Sequence, residues 1–291
     1  MAKQDRPYTL INVIGGPIGV YEDHVEFLET HLKLITMEEF LENKQVLSQK
    51  IEAMYMWFKK PEATRELLQS LPNLKVIANS GVGVDHLDLK LISSFGVKVA
   101  NTPFAVANPT ADLGIALLMA SARRIVEGYQ IALSPETKYF EADWLGEEIN
   151  VDEEQAVGAI YCQNKEDLLQ QSDFVMLTVI LTPQTRNLIG KKELELMKPT
   201  ATLINVCRGQ VVDQDALLNA LQNGVIKAAA LDVTYPEPLP RDHPLLKLKN
   251  IIITPHIGSA TVKARRLMMI SMVESILDGV NGLPVPNEVH G

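Results

Sequence analysis

The chain has 291 residues, of which 46% are hydrophobic and 22% charged. This is ordinary globular composition, and it excludes disordered and fibrous proteins while leaving room for two domains or one large α/β domain. The formal net charge is −9 without any basic run, which makes nucleic acids and anionic membranes poor partners. Two cysteines, Cys162 and Cys207, argue against a disulfide framework, and the histidines show no metal-ligand spacing. The N-terminus carries no apolar signal segment, so we expect a soluble, cytoplasmic protein without a metal site.

Short β-branched runs alternate with helical patterns along the chain, beginning with a strand at Tyr8–Ile14 and a helix at Glu22–His31. Further strands are predicted at Leu32–Thr36, Ala53–Trp57, Leu74–Asn79, Lys98–Ala100, Phe174–Thr178, Ala201–Val206, Lys227–Val233 and Ile251–Thr254. Further helices are predicted at Pro61–Leu71, Thr110–Val126, Lys165–Gln171, Gln214–Asn223 and Thr261–Gly279, with Asn164 and Asp213 as N-caps. Such alternation is typical of parallel sheets covered by helices on both faces. Nine strands exceed the usual single sheet, so the pattern predicts two α/β units.

The most apolar stretch of the sequence is Ala105–Ala122. It contains Asn108, Pro109, Thr110 and Asp112, and such polar and helix-breaking residues are unfavourable in hydrocarbon. We therefore expect a helix of a water-soluble protein here and no membrane span.

The first glycine loop, Ile14–Gly19, follows a predicted strand and precedes a helix, as a dinucleotide fingerprint would. Pro17 stands where that fingerprint needs its second glycine, and proline also removes one N–H donor from the loop. We therefore interpret this loop as a plain strand-to-helix turn. The chain contains no other match to the fingerprint or to a Walker A loop.

The second glycine loop lies within Asn79–Leu89, between a strand and a helix. Gly81 and Gly83 free the backbone, so that consecutive N–H groups can point at a carboxylate or phosphate. The alternative is an ordinary turn in which Asp85 caps the following helix. The residues by themselves favour neither.

Three polar residues each follow an apolar strand in the second half: Arg208, Glu237 and His256. The loops after parallel strands form the ligand crevice of such sheets, so these side chains can converge. Arg208 offers a planar fork for a carboxylate, and His256 can transfer a proton near neutral pH while Glu237 orients it. Each residue alone is also compatible with an ordinary loop or structural role.

Two further polar residues of the second half have structural interpretations. His243 is interpreted as a helix-entry residue. Cys207 is either a thiol of depressed pKa or, as we favour, a small packed residue.

These residues lie in stretches that resemble one family, the D-isomer-specific 2-hydroxyacid dehydrogenases, and within it the glyoxylate/hydroxypyruvate reductase branch. The stretches are NSGVGVDHLDL, NTPFAV, LTPQTRNLIGKKELELMKPTATLINVCRGQVVDQDAL, AALDVTYPEPLPRDHPL and NIIITPHIGSAT. The resemblance implies two doubly wound α/β domains, a flavodoxin-like substrate domain and a Rossmann-like cofactor domain. We predict the substrate domain at residues 1–105 and 260–291 and the cofactor domain at 106–259. It also implies a homodimer, formed in part by the predicted helix Thr110–Val126.

The resemblance further implies roles for individual residues. Arg208, Glu237 and His256 take the catalytic positions of a reductase that converts small 2-keto acids to 2-hydroxy acids. Arg208, together with the backbone of Val82 and Gly83, takes the positions that hold the substrate carboxylate. The cofactor is NADP(H), favoured over NAD(H) by family analogy, and six residues take positions that line it: Thr110, Thr182, Pro183, Cys207, Asp232 and Gly258.

One departure from the family's pattern concerns the acidic passage Ser134–Gln155, which shows no strand pattern. The family carries a strand, a GxGxxG loop, a helix and a second strand here, whereas DWLG at Asp143–Gly146 runs almost directly into EEQAVGAIYC. About 35 residues are expected to be missing, roughly one βαβ half-unit, which truncates the cofactor domain and weakens cofactor binding. A second hypothesis follows, in which the chain is catalytically impaired and acts at most as a non-catalytic dimerisation partner.

Overall fold

The computed structural model describes residues 6–137, 146–147 and 161–290. The chain divides into two compact units, the first made of Met1–Pro109 with Ser259–Gly291 and the second of Thr110–Gly258. The divisions predicted from the sequence were at 105/106 and 259/260. Most of the passage Ser134–Gln155, and with it the point of the expected deletion, lies outside the described residues.

The first unit is built on a five-stranded parallel sheet of order β2-β1-β3-β4-β5. Its strands are β1 Tyr8–Ile11, β2 Lys33–Thr36, β3 Ile51–Met56, β4 Val76–Asn79 and β5 Lys98–Ala100. Its helices are α1 Glu22–His31, α2 Met37–Glu42, α3 Lys44–Leu47, α4 Arg65–Gln69, α5 Leu89–Ser94, the start of α6 Pro103–Ala122, and α11 Val262–Val280. Successive residues of a strand point to opposite faces, and two separate apolar clusters accordingly form, one of them containing the buried side of α11.

The second unit is built on a four-stranded parallel sheet of order β6-β7-β8-β9. Its strands are β6 Phe174–Leu177, β7 Thr202–Asn205, β8 Ala228–Leu231 and β9 Ile251–Ile253. Its helices are most of α6, α7 Ile125–Leu133, α8 Lys165–Gln171, α9 Lys191–Leu196 and α10 Gln214–Gln222, with 3₁₀ turns at Gly209–Val211 and Pro244–Lys247. The α/β fold with two parallel sheets is therefore confirmed.

Each of the nine predicted strands has a counterpart, but several helix predictions need correction. The predicted helix Thr110–Val126 corresponds to two helices, α6 and α7. The helical hydrogen bonding is interrupted between them, where Arg124 takes a left-handed conformation (φ 52°). The helix predicted from Pro61 begins only at Arg65, where the Thr64 hydroxyl accepts from the Leu67 N–H. Asp88, not Asp85, is the N-cap of α5.

The two predicted N-caps behave differently. Asp213 accepts hydrogen bonds from the N–H groups of Asp215 and Ala216 and so satisfies two donors at the start of α10. Asn164 stands at the N-cap position of α8 but makes no capping hydrogen bond with its side chain. The sequence signal therefore located both helix starts, whereas the capping bond forms at one of them.

Helix α6 is long and apolar enough to cross a membrane, by length and composition alone. One such helix is weak evidence, because core helices of water-soluble proteins pass the same test. Ala105 and Val106 pack into the core of the first unit, and Leu117 packs into the core of the second. The helix thus contributes side chains to the cores of both units.

His24 makes the stability of the first unit depend on pH. Its side chain is buried, and its Nδ1 has no hydrogen-bond partner among the residues that the structure describes. Burial lowers the pKa of the imidazole, with Asp23 opposing and Arg266 reinforcing the change. The folded state therefore binds fewer protons here than the unfolded state, and stability is lost as the pH falls below the ordinary histidine pKa of about 6.5.

We expect the melting temperature of the chain to fall between about pH 7 and pH 5.5, and to fall less in His24→Gln. Thermal unfolding followed by circular dichroism across this range measures the difference. His290→Gln is the matched control, since His290 is 80% exposed. Superimposable pH profiles for the parent chain and His24→Gln would contradict the assignment.

Candidate active site

The loop after β9 carries His256 and is held by one buried carboxylate. Asp232, only 2% exposed, accepts hydrogen bonds from the Thr254 hydroxyl (2.6 Å), the Ile257 N–H (2.9 Å) and the Gly258 N–H (2.9 Å). The His256 N–H donates to the Asp232 carbonyl oxygen at 2.9 Å. His256 has a left-handed backbone (φ 54°), which is uncommon for a residue with a side chain and persists only where the surroundings impose it. The Asp232 bonds fix this conformation.

The side chains of His256 and Glu237, predicted from the sequence to act together, lie in contact. The His256 Nδ1 lies 3.0 Å from Glu237 Oε2, and the other carboxylate oxygen accepts from the Thr234 N–H at 3.2 Å. The two side chains are 42% and 31% exposed, so the ring is open to a small molecule. Nε2 makes no hydrogen bond within the described ranges. The carboxylate orients the ring, and Nε2 is left to exchange a proton with a ligand.

A tight turn after β7 presents Arg208 and is organised by Asn205. The buried Asn205 amide accepts from the Cys207 N–H (3.0 Å) and donates to the Arg208 carbonyl oxygen (2.9 Å). The Arg208 Nη1 donates to the Cys207 carbonyl oxygen at 2.7 Å. Asn205 was not singled out from the sequence, although a buried asparagine that ends an apolar strand is a usable signal, because it must find hydrogen-bond partners.

The turn with Arg208 packs directly against the loop with Glu237. A Cβ added at Gly209 would lie 2.1 Å from the carbonyl carbon of Thr234 and 2.2 Å from its oxygen. The Gln214 amide contacts the same loop from α10, accepting from the Tyr235 N–H at 2.8 Å and donating to the Tyr235 carbonyl. The structure thereby brings the two loops together, so that the predicted catalytic residues share one edge of the sheet.

Replacing Gly209 with alanine should separate these loops. The added methyl group meets backbone atoms, which cannot rotate away, and overpacking of this kind costs about 1–3 kcal/mol. Chemical denaturation should show that loss in Gly209→Ala. Gly190→Ala is the control, because a Cβ there would have no neighbour nearer than 3.6 Å. Equal stability of the two variants would show that the loops do not need this close approach.

Three of the predicted cofactor residues lie together. A Cβ on Gly258 would be 3.1 Å from Thr110 Oγ1 and 3.3 Å from Asp232 Oδ2. Thr182 and Pro183 lie in a separate turn after β6, where the Thr182 N–H donates to Thr185 Oγ1 at 2.7 Å. In the part of the chain that the structure describes, no hydrogen bond joins this turn to the Thr110 group.

Cys207 is not a thiol of depressed pKa. Burial raises the pKa of its thiol, although nearby Arg208 opposes the change, so the neutral thiol prevails at neutral pH. Its sulfur donates to Asn205 Oδ1 at 3.0 Å, and the side chain packs against the core of the second unit. The favoured interpretation as a small packed residue is confirmed, as is that of His243, whose Nδ1 accepts from the Leu245 N–H at the start of a 3₁₀ turn.

In the first unit, the loop with Val82 and Gly83 has the donors that the sequence predicted. Gly81 takes a left-handed conformation (φ 90°), and its N–H donates to Thr102 Oγ1 at 2.8 Å. The carbonyls of Val82 and Gly83 accept from Asn101 and Asn79. Neither the Val82 N–H nor the Gly83 N–H donates to any acceptor among residues 6–137, 146–147 and 161–290. These two N–H groups are the donors left for a ligand.

The loop Ile14–Gly19 is closed on itself. The Gly15 N–H donates to the Val20 carbonyl at 2.7 Å, and the Val20 N–H donates to the Val13 carbonyl at 2.9 Å. A Cβ on Gly19 would lie 1.9 Å from the Gly15 oxygen, so the loop has no room for a phosphate between its two ends. This agrees with a plain strand-to-helix turn.

A nicotinamide dinucleotide fits only part of the described second unit. The group of Thr110, Asp232 and Gly258 offers small polar residues at the carboxyl ends of the strands, where such ligands bind. None of the described loops after β6, β7, β8 and β9 contains a GxGxxG sequence to cradle a pyrophosphate. The described residues therefore offer polar groups for such a ligand and contain no GxGxxG loop.

Comparison with known proteins agrees with this architecture. The family model described as D-isomer specific 2-hydroxyacid dehydrogenase, NAD binding domain, matches residues 115–258. A glyoxylate reductase of Thermococcus litoralis is 38% identical over 266 positions, covering 78% of this chain and 80% of the relative. The chain belongs to the D-isomer-specific 2-hydroxyacid dehydrogenase family. It is thus a member of a family of NAD(P)-dependent oxidoreductases.

Two further matches extend the comparison. The glyoxylate reductase/hydroxypyruvate reductase of Homo sapiens is 37% identical, covering 75% of this chain and 77% of the relative. The crystal structure of a protein from Thermus thermophilus superposes with a TM-score of 0.80 at 31% identity, covering 97% of this chain and 99% of that one. Family membership therefore rests on both sequence and fold.

Proposed function

We propose that this chain reduces small 2-keto acids, with glyoxylate and hydroxypyruvate as its substrates and glycolate and glycerate as products. The observation that carries the proposal is the His256–Glu237 hydrogen bond beside the Arg208 turn. The names of the relatives from T. litoralis and Homo sapiens support the same substrates. Cytoplasmic localisation stays a prediction.

The residues of the site divide the chemistry between them. Arg208 binds the substrate carboxylate through its planar guanidinium. A bound NAD(P)H supplies the hydride for the carbonyl carbon. As charge develops on the carbonyl oxygen, His256 donates the proton from Nε2 to it. Glu237 keeps the ring oriented through Nδ1 throughout the step.

Oxidation of NADPH, followed by its absorbance, tests the proposal. The protein to use is a restored chain, in which a strand–glycine loop–helix–strand segment of the family's pattern is inserted between Asp152 and Glu153. We expect turnover with glyoxylate and with hydroxypyruvate, and slower turnover by the chain as it stands. A restored chain that folds and binds NADPH but reduces neither acid would contradict the proposed function.

NADP(H) is proposed as the preferred cofactor, and its binding to this chain is proposed to be weak. The reason we propose is that about 35 residues with the GxGxxG loop, roughly one βαβ half-unit, are missing from this chain. The 291-residue sequence contains no such loop. Further support comes from the alignment with the T. litoralis relative. The alignment spans 266 positions, which is more than the number of residues in 78% of this 291-residue chain. A gap in this chain accounts for the difference.

A homodimer is also proposed, on the evidence of an exposed apolar surface. One side of α6 is buried through Leu117, whereas Ile115 and Met119 on the same helix are exposed. Helix α7 has no buried residue, and Tyr129 and Leu133 are 65% and 64% exposed. Both helices thus expose large apolar side chains, which is a common feature of interaction surfaces. This agrees with a helix that packs against two surfaces.

Introducing charge on this surface should separate the two copies. We expect Tyr129→Glu to elute as a monomer in size exclusion with light scattering, while the parent chain elutes as a dimer. Val46→Glu is the matched control, since Val46 is a 58% exposed apolar residue of the first unit. A parent chain that is monomeric at high concentration would contradict the dimer. It would also remove the second hypothesis, a non-catalytic dimerisation partner.

A further inference from the structure

The first unit has a polar cavity of about 620 Å³ at the edge of its sheet where the strands begin. Four cationic side chains and one carboxylate line it, together with Tyr8, Gln49 and Asn73: the cations are Arg6, Lys33, Lys50 and Lys75, and the carboxylate is Glu52. Pockets of roughly 300–1,000 Å³ accommodate small molecules. The cavity belongs to a different unit from the His256–Glu237 pair.

The sheet itself brings these cations together. Lys33 is the first residue of β2, whereas Lys50 and Lys75 directly precede β3 and β4. Tyr8, the first residue of β1, pairs with Lys33 on one side and with Ile51 on the other. Because neighbouring parallel strands lie about 4.8 Å apart, lysines at the same end of successive strands form a short cationic row.

The charge of this row is only partly balanced. Lys75 is paired with Glu52 at 2.8 Å. Arg6 donates to the Glu29 carbonyl, and Lys33 donates to the Tyr8 hydroxyl at 2.7 Å. In the described part of the chain, no carboxylate lies within ion-pair distance of Arg6, Lys33 or Lys50. A chain with a net charge of −9 therefore carries three uncompensated cations around one cavity.

Tyr8 provides a fixed platform between two of these cations. The Lys33 Nζ lies 4.2 Å and the Lys50 Nζ 5.5 Å from the centre of its ring, so both ammonium groups are held by cation–π attraction. The hydrogen bond from Lys33 lowers the pKa of the Tyr8 phenol. Both lysines are thereby positioned before any ligand arrives, which reduces the ordering that binding requires.

We propose that this cavity binds a small phosphorylated anion. A phosphate has several oxygens, and ammonium groups on different strands can each donate a charge-assisted hydrogen bond to a different one. The lining offers polar partners in Gln49 and Asn73 and no aliphatic side chain, so the ligand is rich in charge and has little apolar surface. The site is separate from the catalytic residues and is not the pyrophosphate position of the nicotinamide cofactor, which belongs to the other unit.

Inorganic pyrophosphate is the probe, titrated calorimetrically into the full chain at constant ionic strength. We expect saturable binding at one site per chain. In the double variant Lys33→Ala/Lys50→Ala the affinity should fall at least about tenfold, which corresponds to the loss of about one charged hydrogen bond. The control Lys191→Ala/Lys249→Ala removes the same charge from exposed positions outside the cavity and should bind as the parent chain does.

Ultraviolet titration of the phenols supplies a second readout. Pyrophosphate should compete for Lys33 and raise the pKa of one tyrosine, and Tyr8→Phe should lack this change. Absence of saturable binding, or equal affinity of the double variant and the parent chain, would overturn the site. Citrate binding as tightly as pyrophosphate would overturn the assignment to phosphate.

Discussion

In the restored chain, His256→Gln should lower kcat for glyoxylate reduction by about 100- to 10,000-fold, the usual contribution of a positioned general acid. Glutamine can still donate a hydrogen bond, but it cannot release a proton to the developing alkoxide. KM for glyoxylate should change little, because the substrate carboxylate is proposed to bind Arg208 and not His256. Steady-state kinetics at saturating NADPH measure both constants.

The matched control for this experiment is His243→Gln. His243 belongs to the same unit but accepts a hydrogen bond from the Leu245 N–H at the start of a 3₁₀ turn. Its replacement should leave kcat close to that of the restored chain. Parent-like kcat in His256→Gln would show that another group protonates the substrate, and the proton-transfer role of His256 and the orienting role of Glu237 would be wrong.

The sheets were predictable because their signal is local. Apolar and β-branched residues make up most of every strand, as is typical of parallel strands buried on both faces. Helix α2 was missed although Thr36 and Glu39 form a capping box that the sequence displays. The break between α6 and α7 has no comparable signal, since Arg124 adopts its left-handed conformation without a glycine or proline nearby.

Only part of the site was predictable, because only some of its residues have a signal in the local sequence. The sequence shows which ionisable side chains follow the predicted strands, and this identified Arg208, Glu237 and His256. The roles of Asn205, Gly209 and Gln214 depend on which loops meet. The Gly209–Thr234 contact joins segments that are distant along the chain, and no local pattern encodes it. Buried Asp232 likewise gave no sign that its carboxylate would hold the His256 loop.

Adding the segment that we propose to be missing should have the largest effect on cofactor binding. The glycine loop and helix N-terminus of that segment hold the pyrophosphate through charge-assisted hydrogen bonds, each worth about 1.5–3 kcal/mol. Two such bonds amount to at least about 3 kcal/mol, or roughly a factor of 100 in affinity. Asp232 and Gly258 lie near Thr110 at the strand ends, away from any GxGxxG loop, so we do not expect them to replace these bonds.

The restored segment should also stabilise the second unit. It supplies strands to a sheet that has four in the described residues, and a strand buried on both faces contributes both hydrogen bonds and apolar contacts. The melting temperature of the restored chain should therefore be higher. A restored chain that melts no higher than the parent chain would mean that the present sheet is already complete.

We propose that this chain keeps the catalytic half of the site and lacks the phosphate anchor. Titration of NADPH fluorescence against the chain and the restored chain, side by side, tests it most directly. We predict that the chain binds NADPH at least about 100-fold more weakly than the restored chain does. Micromolar binding by the chain as it stands would contradict the claim and would mean that another loop cradles the pyrophosphate.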